Sequence, residues 1–216
     1  MALPPKQVGT FTPSEIAFVA EYTNVTIIPR QSTEAVDLIG GRIPPLRPMR
    51  RATVPLWVAI ILKKQSRCNV VAPDWLSEES LKAAYEAEAS NMERFSAMLP
   101  WEWLEVGEII LSNAPDDLLN PPHVIRNLLR DIREIRQAKV RAGIKNIDET
   151  YMQLDNIGYM ELNEIRPFVT TTMNQLRLLN GTREDQEMPM EDEVQDADPE
   201  QYDDDDDDDM DMYVQR

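Results

Sequence analysis

The sequence predicts a mainly α-helical protein with a small N-terminal β module and an acidic C-terminal tail. Three observations carry this. Apolar residues recur at three- and four-residue spacing through most of residues 55–180, the period of a buried helix face. β-Branched residues and turn formers concentrate before residue 55, as in short strands. After Gly181 the apolar periodicity stops and acids accumulate. The expected organisation is a β-rich domain over 1–54, a helical bundle domain over 55–180 and a disordered acidic tail over 181–216.

The first element is announced by Thr12-Pro13-Ser14-Glu15. This is a capping box, in which Thr12 and Glu15 satisfy each other's backbone N–H groups, and Pro13 suits the first helical position. A helix over 13–21 follows, with Ile16, Phe18 and Val19 as its buried face. Val25-Thr26-Ile27-Ile28, ended by Pro29, reads as a strand. Ala35–Ile39 reads as a second, closed by a turn at Gly40-Gly41. The prolines at 44, 45 and 48 keep Arg42–Arg50 extended. So small a module buries too little surface to stand alone, and it should lean on the rest of the chain or on a partner.

Leu56–Leu62 is apolar on all sides, with Pro55 before it and Lys63-Lys64 after it. It reads as a central buried helix. Val70–Pro73 is extended. A helix over 77–98 follows, with acids at 78 and 79 in its first turn and Leu81, Tyr85, Met92, Phe95 and Leu99 near helical spacing. Another over 101–113 carries Trp103, Val106 and Ile110. A third is capped by Asn120, starts at Pro121, carries Ile125, Leu128, Leu129, Ile132 and Ile135, and stops at Gly143. The last runs over 159–179 with Leu162, Ile165, Val169, Met173 and Leu176, is kinked at Pro167 and ends at Gly181.

The net charge of −17 is unevenly spread: −16 falls after Arg183, leaving −1 for residues 1–183. Asp203–Asp209 is a homopolymer of like charge and cannot collapse. It reads as a solubilising tail. Cys68 is the only cysteine, so no intrachain disulfide forms. His123 is the only histidine, too few for a Cys/His zinc site. No Gly-rich phosphate loop occurs. These shortages argue against an enzyme, a cofactor or a metal. Met1–Gly9 lacks a charged region followed by an apolar one, so no secretory signal is expected. The longest apolar run, Leu56–Leu62, is far short of the roughly 20 residues of a membrane span.

Several segments, in order, carry a resemblance. They are Val25-Thr26-Ile27-Ile28-Pro29, Leu38-Ile39-Gly40-Gly41, Val54-Pro55-Leu56-Trp57, Cys68 through Pro73-Asp74-Trp75, Leu154-Asp155-Asn156, and Met160-Glu161-Leu162-Asn163-Glu164-Ile165. Over about residues 14–180 the chain resembles the GINS subunit two family. The resemblance implies a small β domain followed by a helical one, and a nuclear, non-catalytic role in initiation and elongation of chromosomal DNA replication. The implied partners are three other GINS subunits, then the MCM ring and a RecJ-like co-activator in the CMG helicase. Any DNA contact is indirect, and no membrane is involved. The alternative is an acidic-tailed chromatin or histone-binding protein, which the tail suits and the order of motifs in the body does not.

The candidate partner-facing residues are Arg42, Arg47, Arg50, Arg51, Trp101, Trp103, Leu128 and Ile132. The four arginines belong to Leu38–Pro73, which holds seven basic residues and no acid. They read either as a basic surface for an acidic partner or DNA phosphates, or as a solvated face. Trp101 and Trp103 are interface anchors or core. Leu128 and Ile132 lie on a stripe that other subunits would partly cover. Cys68 reads as a buried small hydrophobe, and His123 as an exposed first-turn residue.

Overall fold

The computed structural model describes residues 10–144 and 154–187; the acidic run and most of the expected tail lie outside them. Residues up to Leu178 form one compact unit, and a second begins at Leu179. The first helix, α1 (Pro13–Ala20), opens with the expected capping box, in which Glu15 N–H donates to the Thr12 hydroxyl at 3.4 Å and Thr12 N–H to the Glu15 carboxylate at 2.7 Å. Those bonds hold the Glu15 carboxyl below its ordinary pKa. Ile16 and Ala20, one turn apart, are buried, whereas Phe18 is 61% and Val19 46% exposed. The expectation of a single buried face at 16, 18 and 19 is corrected: residue 18 lies about 200° around the helix from 16, and only the i, i+4 pair faces the core.

Strand β1 (Asn24–Pro29) is central in a three-stranded antiparallel sheet, between β4 (Ala52–Pro55) and β5 (Cys68–Val71). The register pairs Val25 with Val54, and Ile27 with both Ala52 and Val70. A separate hairpin joins β2 (Val36–Leu38) to β3 (Gly41–Ile43). Gly41, with φ +143°, supplies the backbone conformation that reverses the chain there. The third strand of the sheet thus comes from residues 68–71, beyond the central helix α2 (Leu56–Lys64). The first two N–H groups of α2 have no side-chain cap and donate instead to Thr23 and Glu21 carbonyls at 2.9 and 3.1 Å, which answers the donors every helix start leaves open.

Helix α3 (Glu78–Ser90) ends eight residues before the expected Met98. Asn91 stops it: its side-chain oxygen accepts from the N–H groups of Glu93 and Arg94 at 3.0 and 3.1 Å, offering the backbone an alternative to the helix. Helix α4 (Trp103–Asn113) follows, then α5 (Pro122–Ile144). Asn120, expected to cap α5, serves α3 instead, accepting from Glu78 N–H at 3.3 Å. The Pro121 carbonyl takes the first α5 bonds, from Val124 and Ile125. Helix α6 (Tyr159–Glu187) continues through Gly181, which keeps a negative φ and has open space around it. A lone exposed glycine costs a helix only about 1 kcal/mol, too little to end this one.

The core is continuous from the inner face of the sheet through α2 to α3, α4 and α5, with Ile27, Leu56, Leu81, Ile110, Ile125 and Ile132 buried within it. The β module leans on the helices, as its size requires. Asn163 on α6 pairs through its side-chain amide with both backbone groups of Phe11, at 2.8 and 2.9 Å. Asp117 accepts from Lys63 at 2.8 Å and from Val70 N–H at 2.7 Å. It thereby ties β5 and α2 to the short turn after α4.

Candidate functional site

The candidate residues separate by burial. Trp103 and Ile132 are 1% and 0% exposed and belong to the core of this chain. Their assignment as partner-facing is therefore corrected: the stripes of α3 and α5 cover each other, so Ile132 has no free face to offer. Leu128, one turn before Ile132, is half-buried against the same core. Trp101 is 44% exposed and stacks on Tyr159, with ring centroids 5.8 Å apart. Arg42 is exposed on the β2–β3 hairpin, 3.3 Å from Asp37. Arg47, Arg50 and Arg51 are all exposed.

His123 is exposed and Cys68 fully buried. The Cys68 thiol donates to the Ala59 carbonyl, and burial, then Asp117, push its pKa up to about 11, so it stays a thiol at neutral pH. Among the described residues no group of three or more His, Cys, Asp or Glu side chains could hold a metal.

Sequence reasoning missed a buried charge junction between α3, α5 and α6. Arg136 is fully buried, and its Nε and Nη2 donate to the two Glu161 oxygens, each at 2.8 Å. Its Nη1 reaches Glu88 at 2.6 Å and its Nη2 the Asn156 carbonyl at 2.7 Å. Lys139 donates to the other Glu88 oxygen and to the Arg94 carbonyl. Burial alone would lower the Arg136 pKa, but Glu161 and then Glu88 outweigh it and hold the guanidinium above its ordinary value. The Phe95 ring covers Arg136 at 4.6 Å. Two positive and two negative side chains thus cancel inside the bundle and pull two loops onto it. Ser96 N–H donates to Glu88, and Gly158 N–H to Glu161. Gly158 is required by space: a Cβ there would lie 2.8 Å from Trp103 Nε1 and 3.0 Å from Glu161.

The sequence did contain a signal. Residues 125, 129, 132, 136 and 139 form one line at alternating spacings of four and three, as do 81, 84 and 88 on α3. Both lines turn from apolar to charged at their C-terminal ends, with opposite sign.

Glu105 is a different case: it is 4% exposed and neither carboxylate oxygen has a hydrogen-bond partner. Burial pushes its pKa up, and the nearby Glu105 and Met160 amides offset this only in part. A raised folded-state pKa contributes stability below the ordinary carboxylate value of 4.5, and that contribution is lost as pH rises through the raised value. Glu105→Gln is therefore expected to stabilise the chain at pH 7 by an amount on the order of 1–3 kcal/mol, and so to raise its thermal midpoint. The gain should shrink as pH falls towards 4. Melting curves of both proteins across pH 4–8 check this; parallel curves would show that Glu105 is not charged in a dry site.

Among the described residues, exposed apolar side chains gather on two surfaces of note. A groove of about 430 Å3 between α1 and α2 is lined by Phe18, Tyr22, Trp57 and Ile61. Phe18 and Tyr22 meet edge to face at 5.8 Å. The second runs along α6, where Phe168, beside Val140 and Ile144 of α5, and Leu178 are 51% and 71% exposed. Among the described residues no helix is long and apolar enough to cross a membrane.

Residues 12–71 match the PSF2 N-terminal domain family, and residues 75–180 match the GINS complex protein helical bundle domain family. The DNA replication complex GINS protein PSF2 of Debaryomyces hansenii is 44% identical over 205 residues, covering 91% of this chain and 99% of its own length. The Candida albicans protein of that name is 46% identical, covering 91% and 97%. That of Saccharomyces cerevisiae is 37% identical, covering 87% and 98%. The sheet and the bundle thus fall within two consecutive matched domains, and with relatives similar over nearly their whole length the chain belongs to the PSF2 family of DNA replication complex GINS proteins.

Proposed function

We propose that the chain is a non-catalytic subunit of a nuclear, four-subunit GINS complex and that its role is to scaffold the CMG helicase with the MCM ring and a RecJ-like co-activator. The observation that carries this reading is α6. Its first turns are anchored, through Tyr159 on Trp101, Glu161 on Arg136 and Glu164 on Arg133. Beyond them the apolar residues continue, yet Phe168 is exposed and Val169, Met173 and Leu176 are only half-buried. A helix that repeats apolar residues at three- and four-residue spacing buries that line against something, and helices of other subunits are the covering that the family relationship supplies.

Met173→Asp with Leu176→Asp tests this. The substitutions lie outside the core of this chain, so its fold should survive them, at a cost of about 1–2 kcal/mol for two aspartates inside a helix. Co-expression with the three other GINS subunits, followed by size exclusion, should show loss of the four-subunit species. A four-subunit complex at unchanged yield would remove α6 from the interface and this support with it.

A further inference from the structure

We propose that one end of the three-stranded sheet is a docking site for an extended acidic segment of a partner protein. The inner face of β1 is made by Val25, Ile27 and Pro29, all buried. Alternation therefore turns Thr26, Ile28 and the following Arg30 outward. The register carries this across the sheet. Beyond the Pro29–Cys68 pair, Arg30 N–H donates to the Arg67 carbonyl at 2.8 Å. Beyond the Ile27–Ala52 pair, Arg51 comes beside Ile28. The turn that precedes β4 folds back on the same end: Met49 N–H donates to the Pro29 carbonyl at 2.9 Å and Arg50 N–H to the Arg47 carbonyl at 3.3 Å. Two non-glycine residues in left-handed conformation, Met49 and Ser66, shape the turns that deliver these arginines.

Arg30, Arg47, Arg50, Arg51 and Arg67 are thus gathered from three separate stretches of chain. Four are exposed and Arg67 half-buried, and among the described residues none of the five makes an ion pair. Arg30 is oriented without being neutralised, because its Nε and Nη2 donate to the uncharged Asn69 side-chain oxygen at 3.0 and 2.7 Å. The rest of the basic stretch is accounted for differently. Arg42 faces Asp37 on the other hairpin, Lys63 is held by Asp117, and Lys64 is exposed at the end of α2, where it lines the groove beside α1. The patch is accordingly smaller than the sequence suggested, and it includes an arginine from outside that stretch.

Its size and composition choose the occupant. Neighbouring strands lie about 4.8 Å apart, and Arg51 stands beside Ile28, two positions before Arg30, so the diagonal row from Arg51 across β1 to Arg67 spans about 12 Å. In an extended peptide, acids at alternate positions recur about every 7 Å on one side, so two or three carboxylates fit the row and can be held by paired guanidinium N–H groups. A nucleic acid duplex would leave most of its phosphates outside so small a patch, and it is held by the number of phosphates it can neutralise. No aromatic ring belongs to the patch on which a base could stack.

The test uses the full-length chain, a fluorescein-labelled peptide of four glutamates alternating with valines, and a labelled DNA duplex of about 12 base pairs, long enough to stay paired. Anisotropy is read at about 150 mM salt. The peptide should bind, and Arg51→Glu with Arg67→Glu should weaken it about tenfold, with the circular dichroism spectrum unchanged. Arg42→Glu should weaken it less than twofold. No peptide binding, equal binding by the double variant, or a duplex bound more tightly than the peptide would each overturn the proposal.

Discussion

Arg136→Ala is expected to destabilise the chain by about 3–5 kcal/mol, the loss seen when one partner of a buried ion network is removed. The geometry explains why. Glu161 is 3% exposed and both its oxygens are held by Arg136. Without the guanidinium, Glu161 keeps, among the described residues, the Gly158 N–H, and Glu88 keeps Lys139 and Ser96 N–H. The 154–158 loop also loses the bond from Arg136 to the Asn156 carbonyl. For a domain of this size the thermal midpoint should fall by about 10 °C. The companion variant Arg136→Met with Glu161→Leu should recover much of that loss, because replacing a buried pair by apolar groups is often neutral. Thermal melts of the two variants decide the point: a drop below about 1 kcal/mol in Arg136→Ala would mean that water reaches the junction.

The second large effect is expected at Ile132. A carboxylate at this fully buried position sits among apolar side chains, with Arg136 one turn away already committed to Glu161, Glu88 and the Asn156 carbonyl, and a buried charge without a partner costs several kcal/mol. Against a total stability of 5–15 kcal/mol, Ile132→Asp should leave little folded chain, with or without partners. Leu128→Asp, half-buried one turn earlier, should be milder, and Ile132→Val should cost about 0.5–1.5 kcal/mol. Circular dichroism of the isolated variants separates loss of fold from loss of assembly. A well-folded Ile132→Asp that merely fails to assemble would return this position to a partner interface.

These two positions also show what the sequence could and could not say. Ile132 was legible as apolar and in phase with its helix, but periodicity gives the direction of a stripe and not the owner of the surface that covers it. Arg136 sits on that same stripe, yet a charged residue in a helix usually means solvent. Its burial follows from Glu88 and Glu161, which are 48 and 25 residues away in sequence. The elements governed by neighbours in the chain, such as the Thr12–Glu15 cap and β1, were readable directly. The end of α3 was misplaced because a single side chain, Asn91, outweighed the apolar spacing beyond it. Asn120 was given to the wrong helix because a cap was assumed to serve its own chain neighbours. The arginine patch was half visible: its density was plain, but which arginines meet depends on strand register.

Asp117 has a consequence for the life of the chain before it meets its partners. β5 is an outer strand, and an outer strand with free N–H groups invites a second copy to add to the sheet. The Val70 N–H is taken by Asp117, and Lys63 fixes that carboxylate in place. A newly made copy, still waiting for other subunits, is thereby hindered from zipping onto its own kind along this edge, so one acidic side chain protects against self-aggregation during the interval between synthesis and incorporation.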